Sequence, residues 1–396
     1  MLSCKAESIK PSSTLFITAK ANELRSEGID VIGFGAGEPD FDTPDHIKEA
    51  AIKAINDGFT KYTPASGITS LKRGICDKLS KENNIQYDSK QIIVSNGAKH
   101  SLTNAFMAIL NIGDEVIIPA PFWLSYPQMV KIADGVPVIV KTTKEQNYKV
   151  TVEQLKNALT DQTKAIVLNS PSNPTGMTYT RKELEEIAAF VLENNLYVIS
   201  DEIYEKLLYD DVKHISIASL GDEIYDRTIV INGVSKSYAM TGWRIGYTAS
   251  NKDIAKLMYN IQSHSSSNPN SIAQKAAEAA ITCSQECVEE MKKEFAKRRD
   301  YMYERVKTIP LISALKPQGA FYLFIDITEV FNKRFNDKKI TSADELAELL
   351  LTEENVAVIP CNDFGYNDHI RLSYAISLKQ IEEGLNRIEK FLNKLQ

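Results

Sequence analysis

The sequence predicts an α/β fold: a large domain on a mostly parallel central sheet, joined to a smaller α+β domain. Three observations carry this. Between residues 91 and 248, short apolar runs of strand length alternate with segments of helical period, the pattern of strands linked by helical crossovers. Polar residues capable of chemistry fall just past several of those runs, where open α/β sheets bind ligands. Beyond about residue 285 the alternation gives way to a long charged helix, short strands and a terminal amphipathic helix.

Residues 91–95 (Gln-Ile-Ile-Val-Ser) read as a buried strand, which meets a helix opening at Gly97-Ala98-Lys99. Leu102, Ala105, Phe106, Ile109 and Leu110 recur there at helical spacing, and Gly113-Asp114 stops the helix. Residues 115–119 form the next strand, and the strands 165–169 and 196–201 bracket a helix over about 181–194. Strands at 228–232 and 244–248 complete the set. In the remainder, a helix over 286–307 precedes an apolar run at 319–326, a helix near 342–352 and strands at 356–359 and 369–374. A final helix carries Ile381, Leu385, Ile388 and Leu392 on one face. Residues 1–45 lack a complete core of their own. They are assigned with 285–396 to the small domain, and 46–284 to the large one.

Composition narrows the function. Hydrophobic content of 43% and charged content of 25% are those of an ordinary soluble globular protein. A net charge of −6 argues against a general nucleic-acid binder, which needs a basic surface, yet leaves room for a few cations around an anionic ligand. No apolar run is long enough to span a membrane, and the first residues show no apolar segment of a signal peptide. The five cysteines are odd in number and include no C-x-x-C, and the histidines show no H-x-x-H or H-E-x-x-H spacing. The expectation is a cytoplasmic protein without a catalytic metal held by its own side chains.

The richest stretch is Gly233-Val234-Ser235-Lys236, followed in Lys236-Ser-Tyr-Ala-Met-Thr-Gly-Trp-Arg-Ile-Gly-Tyr247 by Arg244. It sets a primary amine and a guanidinium on either side of a Gly-containing turn. A lone lysine after serine is ordinarily a surface residue, and with an ordinary pKa of about 10.4 it is a poor nucleophile; its company changes the reading. Asp201 ends an apolar strand, where an unpaired buried carboxylate is costly. As a cap it is unremarkable, but as a partner for a protonated ring nitrogen it strengthens an electron acceptor. Tyr204 follows three residues on, placed to donate to a ring oxygen. Asn173-Pro-Thr-Gly176 is a turn signal that becomes a ligand loop behind a strand and Ser170-Pro171-Ser172. The junction Ser95-Asn-Gly97-Ala98-Lys99 offers backbone N–H groups and a helix dipole to an anion, or is simply a strand-to-helix turn. Trp123 suits either a stacking role or the core. Gly33-x-Gly35-x-Gly37 is followed by Glu38-Pro39-Asp40 rather than a helix, which rules out a dinucleotide fingerprint, and no Walker A sequence exists. An amine for a Schiff base, a carboxylate for a pyridinium, a phenol for a ring oxygen and an arginine for a phosphate are the groups that hold pyridoxal 5'-phosphate and use it as an electron sink.

Taken together, these motifs resemble the fold-type I, class I aminotransferases, and within them the type Ib aspartate aminotransferases. The likeness runs from Lys10-Pro11-Ser12 through Gly37-Glu38-Pro39-Asp40-Phe41 to His369-Ile-Arg371-Leu-Ser-Tyr374. It implies that Lys236 carries the cofactor as a Schiff base, that Asp201 pairs with the pyridine nitrogen, and that Asn173 and Tyr204 hold its ring oxygen. Arg244, the amides of Gly97 and Ala98, and Ser235 bind phosphate, while Trp123 stacks on the ring. The resemblance also implies a homodimer with shared active sites, in which Tyr62 reaches the phosphate of the neighbouring subunit. Arg371 clamps the substrate α-carboxylate with a planar fork, close to the Gly37 backbone. Lys99 takes the distal carboxylate, and Thr14 helps close the site. Two departures matter. Gly233 stands where many relatives have a phosphate-binding Ser or Thr, and the stretch from Ser263 to Asn268 lacks the arginine that animal-type enzymes lend across the dimer.

The expected activity is ping-pong transfer of an amino group between L-aspartate and 2-oxoglutarate. The rivals are an aromatic, prephenate or broad-range aminotransferase, and a PLP-dependent β-lyase of the same fold. An aminotransferase-like sensor domain of a transcription regulator is disfavoured, because no room for a DNA-binding module exists before residue 30.

Overall fold

Seven strands run through the middle of the molecule with helices on both faces, as seen in a computed structural model that describes residues 2–396, the side chain of Leu15 excepted. Ahead of them lies a two-residue strand, β1 (Ile32–Gly33). The sheet strands are β2 (Ile92–Ser95), β3 (Glu115–Ala120), β4 (Val136–Lys141), β5 (Thr163–Asn169), β6 (Tyr197–Asp201), β7 (Thr228–Gly233) and β8 (Gly246–Ala249). Their order across the sheet is β2-β8-β7-β6-β5-β3-β4, parallel except for β8, which is antiparallel to both of its neighbours.

Alternation along each strand explains the layers. Ile117, Ile166, Leu168 and Val198 point to one face, packing with Leu184, Ile187 and Val191 of the helix Arg181–Glu193. Val116, Ile118, Val167, Ile199 and Ile231 point to the other, against Leu102, Ala105 and Phe106 of the helix Ala98–Ile109. Buried on both faces, these strands are continuous apolar runs, which is why they stand out in the sequence.

Because β8 runs against its neighbours, one edge of the sheet gathers the ends that matter. Ser95 is in register with Gly246, Gly246 with Gly233, and Asn169 with Asp201. Three sequence expectations need correcting. The strand expected from residue 244 starts at Gly246; Arg244 itself closes a short 3-10 turn in the left-handed conformation, at φ 57°. An edge strand, β4, lies at 136–141 where none was expected; Pro137 in its second position argues against a strand in the sequence. The strand expected over 356–359 is two pieces serving different sheets. Val356–Ala357 pairs in parallel with β1, whereas Ile359–Pro360 pairs antiparallel with His369–Ser373.

The chain's last third adds β9 (Ser313–Ala314) and β10 (Tyr322–Asp326), the latter flanked by β9 and by His369–Ser373 in antiparallel register. The helix Leu378–Leu392 buries Ile381, Leu385, Ile388 and Leu392 as its spacing predicts, together with Gly384, whose bare Cα lies against the Phe34 ring. Ile32 and Phe34 share one buried cluster with Phe295, Leu323 and Leu385.

Candidate active site

Asp201 ends β6 and is buried, and both its oxygens are occupied. Oδ2 accepts the Tyr126 hydroxyl at 2.6 Å and Oδ1 accepts the Ile203 N–H at 3.2 Å. Burial pushes the carboxyl up to about 6, against the opposing pull of those two donors. A cation placed beside it would favour the ionised form, so the group is poised to meet a protonated ring nitrogen.

The turn after Asp201 is anchored from behind by buried polar contacts. Glu202 accepts from Ser200 at 2.9 Å and Ser216 at 2.5 Å, and lies 2.8 Å from the His214 ring nitrogen. Glu205 pairs with the Lys78 ammonium and accepts from Asn83 and Asn232. Glu202, Glu205 and His214 are close enough to resemble a metal site, yet the cation facing Glu205 is the protein's own Lys78. The effect is to fix Tyr204, whose buried hydroxyl lies 2.9 Å from that of Tyr322.

Lys236 comes three residues after the end of β7, and its Nζ donates to the Gly37 carbonyl at 2.5 Å. Burial lowers its pKa to about 8, with Arg244 and Arg371 pushing the same way and Glu38 and Asp201 opposing them. At pH 8 such an amine is half neutral, whereas a lysine of ordinary pKa is neutral in only about 0.4% of molecules.

Across the cavity, the helix Ala98–Ile109 starts at Gly97 without a side-chain cap. A Cβ on Gly97 (φ 84°) would collide with the Arg244 guanidinium, and one on Gly246 would strike the backbone of Gly97 and Ala98. Two bare glycines thus let an arginine settle against a helix N-terminus, a cradle that fits a phosphate. Arg244 is braced there by a 2.9 Å bond from Nη1 to the Thr241 carbonyl. Lys99 is close by, its ammonium 4.9 Å from the Trp123 ring centroid, and burial followed by the nearby Arg244 lowers its pKa.

Arg371 stands on His369–Ser373 and is 2% exposed. Nη1 donates to the Asn173 side-chain oxygen at 3.0 Å and Nη2 to the Gly35 carbonyl at 3.2 Å, while Nε is buried with no partner.

A cavity of about 360 Å3 brings together Gly37, Ala98, Lys99, Trp123, Asn173, Asp201, Tyr204, Ser235, Lys236, Arg244 and Arg371. Thr14 also lines it, with its hydroxyl buried and unpartnered. Gly97 lies behind Arg244 rather than on the wall, and Tyr62 is 91% exposed, outside the cavity of its own chain. Sequence reasoning missed Tyr126, Asn169 and Tyr322, which also line it. Tyr126, in the first turn of the helix Ser125–Ile132, comes three residues after Trp123 and meets it edge-on at 5.4 Å. Asn169 ends β5 and accepts the Asn173 N–H at 2.8 Å. Tyr322 alternates with Phe324, which pairs with Arg371, and that period-two spacing is the signal that would have found it.

Amine, carboxylate, phenol and phosphate cradle all open on one space, and their donor set fits pyridoxal 5'-phosphate. Known proteins agree. The chain is 54% identical over 392 residues, 99% of each chain, to an aspartate aminotransferase of Bacillus sp. (strain YM-2). It is 50% identical over 394 residues, again 99% of each, to that of Bacillus subtilis (strain 168). The crystal structure of the aspartate aminotransferase from Rhizobium meliloti superposes with a TM-score of 0.97 at 38% identity, covering 100% of both chains. The family model for aminotransferases of class I and II matches residues 29–388. With likeness of that extent in both sequence and fold, the chain belongs to the class I and II aminotransferases, which work with pyridoxal 5'-phosphate.

Proposed function

We propose that this aminotransferase exchanges the amino group between L-aspartate and 2-oxoglutarate in a ping-pong cycle. One observation carries the choice of a dicarboxylate. A buried guanidinium, Arg371, and a partly buried ammonium, Lys99, border one cavity. Two cations suit a substrate with two carboxylates, and the names of the Bacillus relatives point the same way.

When bound, pyridoxal phosphate supplies an electron sink for the charge left at the substrate α-carbon. The chain's own residues do the rest. Lys236 would hold the cofactor's aldehyde carbon and, once released, would take the α-proton on Nζ and pass it on to that former aldehyde carbon, the 1,3-shift that transamination needs; its lowered pKa keeps much of the amine neutral near pH 8. Asp201 would receive the pyridine N–H, Asn173 and Tyr204 would hold the ring oxygen, and Trp123 would cover the ring. Arg244, Ser235 and the amides of Gly97 and Ala98 bind phosphate. Arg371 grips the α-carboxylate beside Gly37, and Thr14 lies where it helps to shut water out.

The direct test is kcat/KM for a panel of amino donors against 2-oxoglutarate, with Lys99→Ala alongside. Losing a charged hydrogen bond costs about 1.5–3 kcal/mol, so aspartate should lose about 10- to 150-fold in kcat/KM while phenylalanine loses far less. Equal losses on both would assign Lys99 to the phosphate or the fold.

The proposal extends to a cytoplasmic homodimer whose sites are shared. Tyr62 supports it: a large aromatic side chain left 91% exposed, in a segment apart from its own cavity. Mixing Tyr62→Phe with Lys236→Ala subunits should give hybrid dimers with one site doubly defective and the other intact. Native-like turnover from half the hybrid's sites is the expected result. A working site that still shows the Tyr62→Phe defect would place the tyrosine within its own chain. The division into 46–284 and a small domain of 1–45 with 285–396 is proposed as well, supported by the cluster that joins Ile32 and Phe34 to Phe295 and Leu385.

A further inference from the structure

Tyr322 belongs to no motif of the sequence, yet it touches two residues of the site. It is 1% exposed on β10, with its ring centroid 4.3 Å from the guanidinium carbon of Arg371. Phe364 lies at 5.3 Å from the same carbon, so Arg371 is flanked by two aromatic rings. A guanidinium over an aromatic face is attracted by the ring quadrupole, most strongly where water is excluded. That contact sets the plane of the fork, which Asn173 and Gly35 then hold in rotation. The Tyr322 hydroxyl, for its part, is 2.9 Å from the hydroxyl of Tyr204. Two phenols at that distance share one proton between them. When Tyr204 donates to another acceptor, Tyr322 must be the donor of the pair, and its bond polarises Tyr204 into a stronger donor.

We propose that Tyr322 is a positioning residue that serves both ends of the site at once: its ring orients the Arg371 carboxylate fork and its hydroxyl directs the Tyr204 proton into the cavity. The inference rests on the roles proposed above for Arg371, Tyr204 and Lys236, and its test separates the two levels.

The holoenzyme is titrated without substrate, following the pH dependence of the visible band of the lysine-bound cofactor, and maleate binding is measured by its effect on that band. In Tyr322→Phe the ring stays and the hydroxyl goes. A weaker Tyr204 donor leaves more negative charge on the ring oxygen, which holds the neighbouring imine proton more tightly. The midpoint should therefore rise by about half a pH unit, while the maleate Kd stays within twofold. In Tyr322→Leu the ring goes too, and the maleate Kd should rise about tenfold. An unmoved midpoint in Tyr322→Phe, or a parental maleate Kd in Tyr322→Leu, overturns the proposal, which requires both. Tyr322→Phe conserves the packing, so the first arm stands even where Tyr322→Leu fails to fold. A parent without a visible band, or an Arg371→Leu control that binds maleate like the parent, would instead refute the underlying assignment of Lys236 or Arg371.

Discussion

Lys236→Ala should abolish transamination, with kcat falling by at least about 10⁴-fold under saturating aspartate. Two roles disappear with one side chain: the covalent hold on the cofactor, and the base that moves the α-proton, which alone contributes about 10²–10⁴. Nothing nearby replaces it. Among the cavity's other cations, Arg244 and Arg371 are guanidiniums rather than amines, and Lys99 sits on the Trp123 side, over that ring. Borohydride reduction of the parent holoenzyme should fix the cofactor on the peptide that contains Lys236. A label on another lysine, or retained turnover in the variant, would sink the assignment. A pH signature accompanies it. Burial lowers the amine's pKa to about 8, so the neutral fraction that attacks an aldehyde climbs as pH rises through 8 and levels off above it. The rate at which the cofactor-free protein captures pyridoxal phosphate should follow that curve; a rate still climbing steeply at pH 10 would mean an ordinary, solvated lysine.

The residues legible in the sequence are those whose chemistry depends on what they are. Lys236, Asp201 and Asn173 each lie at or just past the end of a strand-like run, and the ends of parallel strands face one edge, so their convergence was predictable without contacts. The residues that were not legible act through where they are. Tyr126 and Tyr322 are phenols in aromatic stretches that read equally well as core, and only the 2.6 Å and 2.9 Å contacts separate them from it. Secondary structure divides the same way. Doubly buried β3, β5, β6 and β7 announce themselves as apolar runs, whereas β4 at the sheet edge has a proline in second place and no fully buried residue. Val356–Pro360 shows a further limit: its apolar run says strand, but half of it pairs with β1, far away in the chain, and half with His369–Ser373 just downstream. Arg244 was misplaced into β8 because Arg-Ile-Gly-Tyr-Thr alternates like a strand. A left-handed non-glycine residue costs roughly 1–2 kcal/mol, and local pattern gives no reason to expect it; the contact of its guanidinium with Gly97 does.

Asp201→Asn should lower kcat by about 10²–10³ while the protein folds and still binds pyridoxal phosphate. The substitution keeps the shape: the side-chain carbonyl can go on accepting the Ile203 N–H, and the amide NH2 in place of Oδ2 can donate to the Tyr126 hydroxyl once that hydroxyl turns, so the packing around β6 survives. What it removes is a buried negative charge aimed at the cavity. Charges of this kind, preorganised in a water-poor site, are worth about 2.7–4 kcal/mol when a single one is deleted. The loss should appear in kcat more than in KM, because Asp201 strengthens electron withdrawal during proton transfer and does not touch the substrate's carboxylates. The carboxylate grip belongs to Arg371, with its own partners in Asn173 and Gly35. Retention of the cofactor follows from the phosphate cradle, where Arg244, Gly97 and Gly246 are unchanged. Measuring kcat, KM and cofactor Kd on one preparation decides the matter. A near-parental kcat would show that ring protonation does not depend on Asp201. A collapse of cofactor binding with an unchanged fold would show that Asp201 holds the ring rather than tuning it.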